Sequence, residues 1–214
     1  MTARLASVQV GRIAPLGPAA VPSGFIKRAA AGSVAVGVLG LDGDEQADLT
    51  VHGGPEKAVY GYAASHYARW ANDFPALHER FLPGSMGENL TIAMLDEDDL
   101  RVGDVHAIGT ALLQVCQPRQ PCFKLALAFG EARLGKAMVR SGRSGWYYRV
   151  LRDGVISAGD AVTLADRPNP DFAFSRLVTI VNLGGASMAE VRALAAMPGL
   201  ASHIAAKARA VLGS

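Results

Sequence analysis

Apolar residues along most of the chain fall in short alternating or β-branched runs cut by glycine, proline and aspartate, the signature of short strands. Such runs predict strands over residues 6–13 and 33–41, a β-like run at Ala58, Val59 and Tyr60, and a strand entered from the glycine-rich turn at residues 82–89. Gly103 with Asp104, and Gly159 with Asp160, each open a further β-like run, so each reads as a turn feeding a barrel strand. Gly109 and Thr110 look like a hairpin turn that returns the chain along residues 111–116. An aromatic strand follows Gly145, and Asp153 with Gly154 predicts another hairpin.

Helical spacing is sparse before residue 167. Ser65 caps a helix to about residue 72, with Tyr67 and Trp70 on one face; residues 125–128 begin another, and residues 135–139 are ambiguous. Arg167, Pro168, Asn169 and Pro170 mark a break. Beyond it Asn169 is placed to cap a helix whose stripe is Phe174, Leu177, Val178 and Val181. Ser187 and Glu190 form a capping box for a second helix, and residues 200–212 form a third. The pattern predicts a mainly β chain with α: a β-barrel domain at 1–166, then a small three-helix bundle at 167–214.

Composition narrows the picture. The 214 residues are 50% apolar, enough for a sizeable core, and the net charge of +2 is too small to argue for a nucleic-acid or membrane surface. Cys116 and Cys122 make neither a disulfide framework nor a CxxC motif, and two unpaired thiols fit a reducing compartment. With no signal-peptide core and no run of about 18 apolar residues, a soluble cytoplasmic protein is expected.

Candidate chemistry concentrates in two stretches. Residues 117–125 hold Cys122 just after two prolines, Pro118 and Pro121, and between two cations, Arg119 and Lys124. A thiol acts as nucleophile or soft-metal ligand only as thiolate, and either cation favours that form. Cys116 ends an apolar run and reads as packing. The second stretch sets His52 before Gly53, Gly54 and Pro55, with Lys57 following, an imidazole and an ammonium able to grip a phosphate or carboxylate. Glu88 and Asn89 read either as a hydrogen-bonded turn or as a site-lining pair. Arg140 and Arg143, in a Gly/Ser loop, also suit anion binding.

Taken together, Gln46–Ala47–Asp48, His52–Gly53–Gly54 with Lys57, Gly87–Glu88–Asn89–Leu90, the Cys122 loop and Gly159–Asp160 resemble the MOSC family, named for the molybdenum cofactor sulfurase C-terminal domain. The match is nearest to its stand-alone branch with a three-helix extension. The resemblance implies a β-barrel and a pocket for the molybdenum cofactor (molybdopterin), a pterin dithiolene carrying a phosphate. It implies Cys122 as catalytic residue and molybdenum ligand, and His52, Lys57, Arg119, Lys124, Asn89 and Arg143 as cofactor-binding residues. The implied reaction is reduction of N-hydroxylated compounds, such as N-hydroxylated purine bases, to amines. With no flavin or nicotinamide fingerprint, electrons are expected from a separate donor protein, and the helices after Pro170 from their position are expected to dock a partner or close a homodimer. The alternatives are a sulfur carrier using a Cys122 persulfide and a non-enzymatic cofactor-binding protein.

Overall fold

The computed structural model describes residues 2–49 and 52–213; Thr50 and Val51, within the His52 stretch, lie outside the described residues. In chain order the strands β1 (Arg4–Val10), β2 (Ala14–Leu16), β3 (Val21–Ser23), β4 (Arg28–Ala29), β5 (Val34–Gly37), β6 (Gly40–Leu41) and β7 (Val59–Ala63) precede helix α1 (Ser65–Asp73). Then come β8 (Leu90–Ala93), β9 (Val105–Ile108), β10 (Ala111–Pro118), α2 (Phe123–Phe129), α3 (Arg133–Ser141), β11 (Trp146–Arg152), β12 (Gly154–Ile156) and β13 (Val162–Asp166). Helices α4 (Phe174–Leu183), α5 (Met188–Ala195) and α6 (Ser202–Gly213) end the chain.

The fold is mixed, with one large sheet of eight strands in the order β13-β9-β10-β11-β7-β8-β1-β4. All its pairs are antiparallel except β7 with β8. Among the described residues the sheet is not a continuously closed ladder, as a barrel would require. Its two ends do approach one another, where Val162 N donates to Ala3 O at 2.8 Å and Leu5 N to Asp160 O at 2.9 Å. Central β7 is buried along its whole length, and Gly61 explains how aromatic β11 lies so close: a Cβ there would meet Trp146 Nε1 at 2.8 Å. Only glycine permits that approach.

Several boundaries differ from the sequence reading, each for a local reason. The expected strand 33–41 is a tight hairpin, because β5 and β6 pair with each other across exposed Val38 and Leu39. The first strand ends at Val10, and the Gly11 N–H leaves the ladder for the Asp44 carboxylate at 2.8 Å. Asp153 and Gly154 do not make a hairpin: β12 pairs with β5 instead of β11. Residues 135–139 fall within α3, whose left-handed C-cap is Gly142. Asn169 is no helix cap. Its amide ties Val102 O and Pro198 O at 2.7 and 2.9 Å, and α4 starts later, at Phe174.

The capping box at Ser187 and Glu190 forms as expected, with both reciprocal hydrogen bonds. Helix α5 packs on α6, whereas α4 sits against β10 and α3. The apolar stripe Phe174, Leu177 and Val178 is buried in the same cluster as Val59, Leu90, Val115 and Trp146 of the sheet. Core therefore runs continuously across the boundary expected at residue 166. Burying each such side chain stabilises by about 1.5–3 kcal/mol. We expect a chain ending at Asp166 to lose cooperative thermal unfolding; a melting temperature equal to that of the full chain would contradict this. Among the described residues no single helix is long and apolar enough to cross a membrane.

Candidate functional site

The end of β10 and the start of α2 place Cys122. The strand runs on through Pro118, so the loop proper is only residues 119–122, and Cys122 sits at the N-cap of α2 with extended backbone. Its sulfur is partly exposed, where the backbone N–H of Lys124 reaches it. Burial pushes this thiol up. The hydrogen bond from His52, the Arg119 charge and the Lys124 N–H outweigh burial, and together they bring it down from 9.0 to about 7. Cys116 is the opposite case. It lies inside β10, its Sγ donates to Glu56 O at 3.1 Å, and burial pushes it up to about 12. One cysteine is poised as thiolate and the other is inert.

A cleft of about 600 Å³, open to solvent, joins this thiol to loops distant in sequence. Six residues singled out from the sequence line it: His52, Lys57, Asn89, Arg119, Cys122 and Lys124. His52 comes directly after Thr50 and Val51, and Lys57 ends the 3₁₀ turn Pro55–Lys57, entered through Gly53 and Gly54, both with φ above +80°. Arg119 is buried to 4% exposure, yet no carboxylate partners it among the described residues. Its guanidinium lies 5.6 Å from the Tyr60 ring centroid and 6.0 Å from that of Phe25, its Nη1 donates to the Met138 thioether at 3.3 Å, and a further hydrogen bond joins it to the Tyr147 side chain. Its one nearby anionic group is the Cys122 thiolate that it helps to stabilise, and a buried cation with aromatic faces and no carboxylate partner has charge left for a further anion.

Asn89 lines the cleft with its amide already engaged: Oδ1 accepts from Tyr60 N at 3.0 Å and Nδ2 donates to Asp44 Oδ2 at 2.9 Å. Of the two readings of Glu88 and Asn89, the turn is what the hydrogen bonds describe. Buried Glu88 accepts from Gly84 N at 2.6 Å and Thr91 Oγ1 at 2.9 Å, which holds residues 84–91 in shape.

Arg143 lies outside this cleft. It pairs with Asp73, and its guanidinium stacks 3.8 Å over Trp70, on a separate cavity that Arg140 also lines. The cleft adds residues that the sequence did not suggest, chiefly Lys27 ion-paired to buried Asp44, and the aromatic pair Tyr60 and Tyr147. Lys27 and Asp44 come from unremarkable loops, so no local signal marks them. Tyr60 was visible only as a strand residue.

The thiol geometry carries a direct expectation. Alkylation of Cys122 should rise with pH through a midpoint near 7, because the reactive thiolate forms as the proton leaves. His52→Ala removes a hydrogen bond that lowers the thiol pKa, so its midpoint should move upward and its rate at neutral pH fall. An unchanged profile would show that His52 does not support the thiolate.

Comparison with known proteins identifies the family. The MOSC domain matches residues 48–163. Over 150 residues the chain is 40% identical to "Protein YiiM" of Escherichia coli, covering 70% of this chain and 67% of that one. It is 35% identical over 187 residues to a protein of Gibberella moniliformis named "Reductase", covering 86% of this chain but only 33% of that protein. The crystal structure of YiiM from Geobacillus stearothermophilus superposes with a TM-score of 0.81 at 32% identity, covering 98% of this chain and 99% of that one. With more than half of its length matched by that domain, this chain belongs to the MOSC domain family.

Proposed function

We propose that the chain is a molybdenum-cofactor-dependent reductase that converts N-hydroxylated compounds, such as N-hydroxylated purine bases, to amines. The observation that carries this reading is the cleft itself, where a thiol brought down to about 7 lies beside a buried arginine without a carboxylate partner. MOSC domains are associated with molybdenum-cofactor binding in general, and one relative is named a reductase. The donor set fits that cofactor: a soft thiolate suits a sulfur-rich metal centre, and the cations suit an anionic pterin phosphate.

In this reading Cys122 is the protein thiolate ligand, kept deprotonated by His52, Arg119 and the Lys124 N–H. Arg119 and Lys57 hold anionic groups of the cofactor from separate loops, and Lys124 adds charge beside the thiol. Asn89 and Asp44 fix the strand and loop geometry around them. When bound, the cofactor supplies a two-electron couple and an oxygen-accepting position. The net change breaks the substrate N–O bond: the hydroxylamine, two electrons and two protons give the amine and water. A separate donor protein supplies the electrons, and α4 to α6 are the surface we assign to docking it or a second copy.

The test is turnover of an N-hydroxylated base with an artificial electron donor, using protein from a cofactor-competent host. Amine formation that depends on loaded molybdenum supports the reading. Molybdenum-loaded protein without turnover would leave a cofactor-binding protein, and a persulfide on Cys122 in molybdenum-free protein would indicate sulfur transfer.

A further inference from the structure

A second cavity forms where α1, the turn at residues 96–98, the end of α3 and α4 meet, and none of its lining residues lines the thiol cleft. Two residues on its wall each bury a polar atom without a hydrogen-bond partner: His66 Nδ1 and Arg143 Nη1. His66 is 2% exposed, and its Nε2 lies 2.6 Å from Glu97 Oε2. Glu97 Oε1 accepts the Gly145 N–H at 2.7 Å, so both carboxylate oxygens are engaged. A carboxylate only accepts, which places the proton of the neutral ring on Nε2 and leaves Nδ1 as an open acceptor. Arg143 is held flat by Trp70 and Asp73, which leaves Nη1 as an open donor in a fixed plane.

At the mouth, Arg69 and Arg140 are exposed, and among the described residues their side chains make no hydrogen bond or ion pair. Asp96 and Asp98 stand on the same rim. Their charge disfavours a doubly negative guest, while the arginines favour a singly negative one.

We propose that this cavity binds a small, singly charged oxyanion that still carries a proton, of the dihydrogen-phosphate type. One oxygen accepts from Arg143 Nη1, with Arg69 and Arg140 adding charge at the mouth, and the remaining O–H donates to His66 Nδ1. The combination accounts for an orphan donor and an orphan acceptor with one ligand, and it does not depend on what the thiol cleft binds.

Calorimetric titration of the full chain with inorganic phosphate, at neutral pH where part of the phosphate still keeps two protons and the imidazole acceptor is retained, tests it. Sulfate, which has the same shape but no proton, is the control. We expect phosphate to bind at least tenfold more tightly than sulfate. The double variant Arg69→Ala/Arg140→Ala should bind phosphate at least tenfold more weakly, and Lys57→Ala, in the other cleft, should leave this affinity unchanged. No phosphate binding at millimolar concentration overturns the proposal. So does equal affinity for sulfate, or a loss in Lys57→Ala that the double arginine variant does not share.

Discussion

Cys122→Ser is expected to lose the proposed reductase activity by more than about a hundredfold, beyond what residues that merely support a metal ligand usually cost, while Cys116→Ser keeps most of it. Both residues are free thiols six positions apart, so the contrast isolates environment. Cys122 has a thiol at about 7, partial exposure and a hydrogen bond from His52. Cys116 is fully buried at about 12 and donates to a backbone carbonyl, a bond that a serine hydroxyl can also make. Turnover of an N-hydroxylated base by both variants, with folding checked by thermal melts, decides the matter. Equal loss in two folded variants would remove Cys122 from the proposed chemistry.

Much of that contrast was legible before any coordinates. A proline-framed loop with a cation on each side of Cys122 predicts an activated thiol, and an apolar run ending at Cys116 predicts packing. The His52 and Lys57 stretch was legible for the same reason, since glycine pairs and charged side chains in a turn are local signals. Arg143 had an equally suggestive local sequence, but its destination is set by Trp70 and Asp73, which lie some seventy residues earlier and leave no trace nearby. The hidden partners Lys27 and Asp44 are long-range in the same sense. Strand 33–41 misled because near-alternation continues through Val38 and Leu39, the exposed turn of a hairpin. Asn169 beside Pro170 is a good cap signal, overridden because its amide ties two distant carbonyls.

The second large effect is expected at Arg119, and it has an unusual sign. Arg119→Met should weaken cofactor retention by about tenfold to a hundredfold, since charge-assisted hydrogen bonds contribute about 1.5–3 kcal/mol. The same change should leave the cofactor-free protein as stable as wild type or more so. Methionine matches the aliphatic stem, keeps contact with Tyr60, Phe25 and Met138, and removes a buried charge that no carboxylate offsets. Thermal melts and cofactor occupancy on the same preparations check both halves. A destabilised variant with undiminished occupancy would mean that Arg119 serves the fold and not the ligand.

Elemental analysis of the chain purified from a cofactor-competent host is the most direct measurement. If the thiol cleft holds the molybdenum cofactor, molybdenum should be present in near-stoichiometric amount in the wild-type chain and strongly reduced in Arg119→Met. Wild-type protein free of molybdenum from a host that loads other molybdenum enzymes, or equal molybdenum in both proteins, would contradict that assignment.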